Sequence, residues 1–214
     1  MHRIPLHLQI KKKRHREIAA AQDLLVEILY RTFPRAVLHG GTAIWRCYCG
    51  NRFSEDLDVY LEKDPEKIEL LLETSRRHGF EIRKKRIREN SLYSALRLGE
   101  AEVGLEATFR RVRGILKEYQ TCGGNLLNVY TLPPEDLIEE KVEAYLKRLK
   151  VRDLYDVFFL LRYVEEKERV RRKLLRLLRE FRPPVDEREL KTVLLSGAVP
   201  TANDMLEYLR RWCR

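Results

Sequence analysis

Asp56 and Asp58 stand two residues apart in the segment Ser54-Glu55-Asp56-Leu57-Asp58-Val59-Tyr60-Leu61. In an extended strand alternate side chains leave the same face, so the two carboxylates project together while Leu57 and Val59 turn to the other, apolar side. Two carboxylates on one rigid edge can converge on a divalent cation. Mg2+ in particular prefers one or two carboxylates plus substrate phosphates to an all-protein cage. Taken alone the pair is weak, because 36% of the residues are charged and a solvated acidic surface produces the same spacing.

Its neighbours add chemistry. Upstream, Gly40-Gly41-Thr42 follows a short apolar run, and a glycine turn opening a helix presents backbone N–H groups that can hold phosphate oxygens. A tight turn with Thr42 as the helix cap uses the same residues. Arg52 and Ser54 precede the acidic pair at the entrance of its strand. Downstream, Lys141, Tyr145 and Arg148 recur at helical spacing and share one face, while Asp153 and Asp156 share another. These side chains either reach substrate or tie helices together by ion pairs, and the spacing leaves both readings open. His39 reads as a partly buried strand histidine, and Trp45, Tyr48 and Phe53 as core.

The elements that must position these residues follow from periodicity. Apolar spacing predicts a helix over 10–32, stopped by Pro34, then a strand over 36–38 and a short helix after Gly41 capped by Thr42. A strand over 57–61 and a helix over 65–78 follow. Three alternating segments over 80–87, 92–98 and 102–110, separated by turn residues, predict an antiparallel meander. A strand over 128–131 precedes Pro133-Pro134, after which helices are expected over 134–149, 152–166, 168–181, 187–196 and 201–212. This is an α+β pattern with a boundary near 123–134, dividing a core domain over 1–130 from a helical domain over 131–214.

The apolar fraction of 44% describes a chain that folds around a real core rather than a disordered one. Lys and Arg exceed Asp and Glu by ten, which favours anionic partners such as nucleotides or nucleic acid. The densest basic runs are 11–16 and 83–88, each readable as a solvated face or as an RNA contact. No window approaches a membrane span and the N-terminus lacks a secretion signal, so a cytoplasmic location without membrane contact is expected. The four cysteines form no CxxC pair, which argues against zinc and leaves a disulfide open.

Gly40-Gly41-Thr42 followed by Ser54-Glu55-Asp56-Leu57-Asp58 resembles the GG(S/T) and DxD signature of polymerase-beta-like nucleotidyltransferases, and more closely the AbiEii-type toxin family within them. Lys141, Arg148, Arg152-Asp153 and Asp156 are similar to a later helical motif of that family, so the resemblance spans roughly residues 36–165. It implies a mixed sheet with flanking helices, then a C-terminal helical bundle, with nucleotide in the cleft between them. It implies a nucleoside triphosphate substrate and Mg2+ or Mn2+ held by Asp56 and Asp58. Glu106 would be the third acid, where many relatives carry aspartate, with Glu102 as the alternative. Gly40, Gly41, Thr42, Arg52, Ser54, Lys141 and Arg148 would contact phosphates, and Asp153 would support the site. The implied acceptor is RNA, by preference the 3′ end of tRNA, in a toxin countered by an antitoxin protein. Two alternatives remain: a catalytically silent nucleic-acid or protein-binding module on the same fold, or transfer to a protein or small molecule.

Overall fold

The computed structural model describes residues 5–214, so the first four residues of the expected core domain lie outside it. In chain order the elements are α1 (Leu6–Gln9), α2 (Lys13–Thr32), β1 (Val37–His39), α3 (Gly40–Cys47), β2 (Leu57–Leu61), α4 (Pro65–Arg77), β3 (Glu81–Ile87), β4 (Ser91–Leu98), β5 (Ala101–Phe109), β6 (Ile115–Gln120) and β7 (Leu126–Thr131). The helical half follows as α5 (Pro134–Arg148), α6 (Val151–Leu160), α7 (Lys167–Glu180), α8 (Leu190–Val193) and α9 (Ala202–Trp212). Two compact units result. One holds the described residues through Cys49 with Phe53–Leu132, and the other holds Pro133–Arg214 with the short segment Gly50–Arg52.

The first unit is built on a seven-stranded mixed sheet of order β3-β4-β5-β2-β1-β7-β6. The expected meander is present: β3, β4 and β5 pair antiparallel in sequence. β2 then pairs parallel to β5 and antiparallel to β1. Strict alternation along β2 and β5 buries Leu57, Val59, Leu61, Val103, Leu105 and Ala107 on one face. That face receives the apolar stripe of α2, Ile18, Leu25, Ile28 and Leu29, at i, i+7, i+10 and i+11, so that they line one side of a helix. Each such aliphatic side chain contributes about 1.5–3 kcal/mol on burial. The alternate positions, Asp58, Glu102, Glu106 and Thr108, are half-buried or exposed.

Three differences from the sequence expectations have physical causes. β6 was not anticipated: it is an edge strand whose Ile115 and Leu116 stay exposed, so it lacks the apolar-in, polar-out signature of a half-buried strand. α3 starts at Gly40, three residues earlier than a Thr42 cap requires, and the buried Thr42 hydroxyl donates to the carbonyl of Asp56 instead. In the helical half, the predicted helix over 152–166 ends at Leu160 and finishes as a 3-10 turn over Leu161–Tyr163, and that over 187–196 shrinks to a 3-10 turn plus the four residues of α8. The cysteines are unpaired thiols, and no helix among the described residues is long and apolar enough to cross a membrane.

The first unit also buries a cation. Arg46 of α3 lies over the Trp45 ring at 3.9 Å, pairs with Asp23 at 3.2 Å, and donates to the carbonyls of Ala19 and Gln120. Burial pushes the Asp23 carboxyl up, against the pull of Arg46 and of the Cys122 N–H and Tyr119 hydroxyl that donate to it. This network locks α3 to α2 and so fixes where Gly40 begins the helix.

The second unit is organised around a buried ionic chain. Arg52 binds Asp156 with both arms of its guanidinium, at 2.8 and 2.7 Å, and Lys141 reaches the same carboxylate at 2.8 Å. Lys141 also lies 3.4 Å from Asp153, which accepts two bonds from Arg148 at 2.7 and 2.8 Å. Arg52, Lys141, Asp153 and Asp156 are all buried. Asn51 and Arg52 are further tied to the stretch after α8, through an Arg52–Leu194 bridge and the Leu195 N–H donating to the Asn51 carbonyl. Breaking a buried pair by removing one partner costs about 3–5 kcal/mol, because the other charge is left desolvated.

Arg52→Ala is therefore expected to lower the melting temperature by about 10 °C, the shift that such a loss produces in a chain of this size. Lysine at this position should recover only part of it, since an ammonium cannot reproduce a bidentate fork. Unchanged melting with a raised nucleotide KM would instead assign Arg52 to phosphate.

Burial alone would raise the Asp156 carboxyl, but Arg52 and Lys141 outweigh it and hold it below the usual range of an aspartate. A depressed carboxyl contributes stability that is present above the unfolded value and lost as pH falls through the folded one. Asp156→Asn should thus be strongly destabilising at pH 7, and the gap to wild type should narrow below about pH 3.8. Urea midpoints at pH 7 and pH 3 check this, and a gap that stays constant would contradict it.

Candidate active site

The two carboxylates of the Asp56-Leu57-Asp58 segment lie against two glycines. A Cβ built on Gly40 would fall 2.7 Å from the Asp58 Cγ, and one on Gly104 would fall 2.5 Å from the Asp56 Oδ1. Real Cβ atoms essentially never come that close, so only glycine lets these side chains occupy their positions. Gly40 carries a second requirement, a φ of +69°, in the left-handed region where L side chains are strained. The geometry follows from register. His39 pairs with Asp58 across β1 and β2, and Leu57 pairs with Leu105 across β2 and β5, which sets Asp56 beside Gly104.

The backbone that carries the pair is held from beneath. Gln22 of α2, fully buried, donates to the carbonyls of Ser54 and Glu55 at 2.9 and 2.8 Å, and Thr42 donates to that of Asp56. Three consecutive carbonyls are thereby satisfied by side chains, which fixes a stretch that has no strand partner of its own. Thr42 and Ser54 were expected at phosphate. The Thr42 hydroxyl is committed to positioning Asp56, and Ser54 is half-buried with its carbonyl on Gln22.

Glu106 pairs directly with Asp58 across the parallel β2–β5 ladder, so the two side chains share a face, and both Asp56 and Glu106 are exposed. Glu102 lies four residues back along β5 and opposite Arg97. Among the described residues no group of three or more His, Cys, Asp or Glu side chains could hold a metal ion, so the expected set of Asp56, Asp58 and Glu106 is not ready-made. What the site offers is two hard oxygen donors on a rigid edge, beside the first turn of α3. That donor set fits Mg2+ or Mn2+ bound jointly with substrate phosphates, and does not fit a soft-metal cage. His39, half-buried, stacks on Tyr60 with centroids 4.1 Å apart. Trp45, Tyr48 and Phe53 are core.

Arg52, Lys141, Arg148 and Asp153, which the sequence also placed at the site, are brought together as the ionic chain of the second unit. Of the two readings the helical spacing of Lys141, Arg148 and Asp153 allowed, the structure displays the ion-pair network, and Arg52, expected at phosphate, joins it. Tyr145, on the same helix, donates to the Arg182 carbonyl. Two residues escaped the sequence reading. An isolated glycine inside a strand pattern marks a close approach, and Gly104 in Glu102-Val-Gly-Leu-Glu106 carried that signal. Gln22 carried none, for a polar residue within an apolar helical stripe reads as an interruption.

The sequence between residues 23 and 203 matches the family described as nucleotidyl transferase AbiEii toxin, type IV toxin-antitoxin system. No curated protein sequence matches. Among solved structures, MenT4, a nucleotidyltransferase toxin from Mycobacterium tuberculosis H37Rv, is 21% identical with a TM-score of 0.66, over 97% of this chain and 90% of that one. JHP933 from Helicobacter pylori is 18% identical with a TM-score of 0.63, over 94% and 91%. The antibiotic-resistance factor ANT(2'')-Ia is 12% identical with a TM-score of 0.50, over 72% and 88%. These likenesses place the seven-stranded mixed sheet and its helices in the polymerase-beta-like nucleotidyltransferase fold. With the family match extending over most of its length, the chain belongs to the AbiEii nucleotidyltransferase toxin family.

Proposed function

We propose that this protein transfers a nucleotide from a nucleoside triphosphate to the 3′ end of an RNA, with tRNA the preferred acceptor, in a reaction that needs Mg2+ or Mn2+. The observation that carries the reading is the seating of Asp56 and Asp58 in the gaps at Gly104 and Gly40, beside the start of α3. Asp56 and Asp58 would hold the cation, with Glu106 as the third acid on the same face. A bound divalent cation neutralises the triphosphate charge and orients its oxygens.

The chain's own groups do the rest. The first-turn amides of α3, at Gly40, Gly41 and Thr42, are not used within the helix and orient phosphate oxygens. The acceptor hydroxyl oxygen bonds to the α-phosphorus in line with the departing bridging oxygen, that bond breaks, and pyrophosphate leaves. The hydroxyl proton passes to the Glu106 carboxylate, which is exposed and opposite Asp58. The formal net charge of +10 favours a polyanionic acceptor. Nucleotides added to a tRNA end would block aminoacylation and arrest growth, which fits a cytoplasmic toxin restrained by an antitoxin protein.

Incubating the protein with Mg2+, each labelled nucleoside triphosphate and total tRNA should label RNA, and chelation with EDTA should abolish the label. Asp56→Ala with Asp58→Ala should reduce it by at least ~100-fold. Equal labelling by the double variant would sink the site assignment, while label confined to protein or to a small molecule would replace the acceptor.

Gly104→Ala provides a gentler test. The added methyl meets the far end of the Asp56 side chain rather than backbone, so the fold should survive with a melting temperature within a few degrees of wild type. Displacing that carboxylate should still cost on the order of 10²-fold in kcat. Full activity in this variant would show that the position of Asp56 is immaterial.

A further inference from the structure

The basic run over 83–88 forms the edge strand β3, and the structure divides it between two faces. Alternation is interrupted by a register shift between Ile82 and Lys84, after which Lys84 pairs with Ala95, Lys85 with Ser94 and Arg86 with Tyr93. Directly paired residues share a face, so Arg86, Tyr93, Glu106 and Asp58 form one row across β3, β4, β5 and β2. Lys84 stands one row away on that face, beside Ala95 and Gly104. The register shift thus sets two cations on the carboxylate face. Lys85 turns to the helix-bearing face, where it forms an ion pair with Glu69 of α4, and Arg83, at the irregularity, pairs with Glu81.

The two sets differ in neutralisation. Arg83 and Lys85 have carboxylate partners, whereas Lys84 and Arg86 form no ion pair among the described residues and are exposed. Between them and the acids lies Tyr93, a large side chain 37% exposed on the same face. From Arg86 to Asp58 is three strand spacings, about 14 Å of sheet. Unpaired cations, an exposed aromatic and a reaction centre on one face are what a single-stranded nucleic acid needs, phosphates on the cations and a base on the ring. An acidic protein could also use the cations, but a stacking ring set between cations and the acidic centre matches alternating phosphates and bases.

We propose that this face of β3 and β4 is the track along which a single-stranded RNA acceptor reaches Asp56 and Asp58, with Lys84 and Arg86 on its phosphates and Tyr93 stacked on a base. The inference rests on the reading that RNA is the acceptor, and names how that acceptor is held.

The test is fluorescence anisotropy of a 5′-labelled single-stranded RNA of about twelve nucleotides, a length that spans such a site, titrated with the full chain at several salt concentrations. Wild type is expected to bind, with affinity falling as salt rises. Lys84→Ala with Arg86→Ala should weaken binding about tenfold or more and flatten the log–log salt slope by about 1.4, the value for two lost single-strand phosphate contacts. Arg83→Ala with Lys85→Ala removes the same charge from the neutralised positions and should change affinity less than about twofold. Tyr93→Ala should weaken binding about tenfold without altering the slope, and Tyr93→Phe should restore it. Equal losses from both cation pairs, no binding by wild type, or displacement of the RNA by poly-glutamate as efficiently as by unlabelled RNA would overturn the track. Nucleotide transfer is read separately. A track that binds RNA as described in a protein that labels only another acceptor refutes the proposed function and leaves the binding face standing, whereas RNA labelling that Lys84→Ala with Arg86→Ala leaves at wild-type RNA KM refutes the track alone.

Discussion

The parallel pairing of β2 with β5 is the constraint on which the site depends. That ladder sets Asp58 opposite Glu106 and brings Asp56 to Gly104, while the antiparallel pairing of β1 with β2 brings Asp58 to Gly40. A shift of one residue would turn both aspartates into the apolar face under α2 and expose Leu57 and Val59. The burial of Leu57, Val59, Leu61, Val103, Leu105 and Ala107 forbids that slip, so the same hydrophobic alternation that builds the core also orients the acids. The cost is borne by two positions where any side chain would displace a carboxylate. Nothing but glycine fits where these carboxylates rest.

Much of this was legible in the sequence because it depends on period and on glycine. The strand 57–61 was read with its ends correct, since alternation there is strict and Gly50 and Pro65 bound it on either side. The meander was read for the same reason. What could not be read depends on who meets whom. Thr42 has the composition of a helix cap, and only the position of Asp56 above it reassigns its hydroxyl. Lys141 and Arg148 have the spacing of a substrate-binding face, and that Asp153 and Asp156 of α6 meet them there is visible only in the fold. The faces of the 83–88 run were hidden as well, because one irregularity reverses the alternation that sequence parity assumes.

The acidic segment is also held in place along the chain by its backbone. Arg52 is fixed on Asp156 by two bonds, and two to four residues later the carbonyls of Ser54, Glu55 and Asp56 are taken by Gln22 and Thr42. Phe53, between these anchors, is buried and stacks on His15. Ordering one backbone residue costs roughly 1–2 kcal/mol, and here that cost is met by folding rather than by ligand binding. A carboxylate pair on a loose loop would have to be ordered by the substrate itself, and part of the binding free energy would be lost to that step. A polar group as expensive to bury as Gln22 is accounted for in this way: it removes freedom from the segment that presents Asp56 and Asp58, leaving binding energy available to orient the reacting groups.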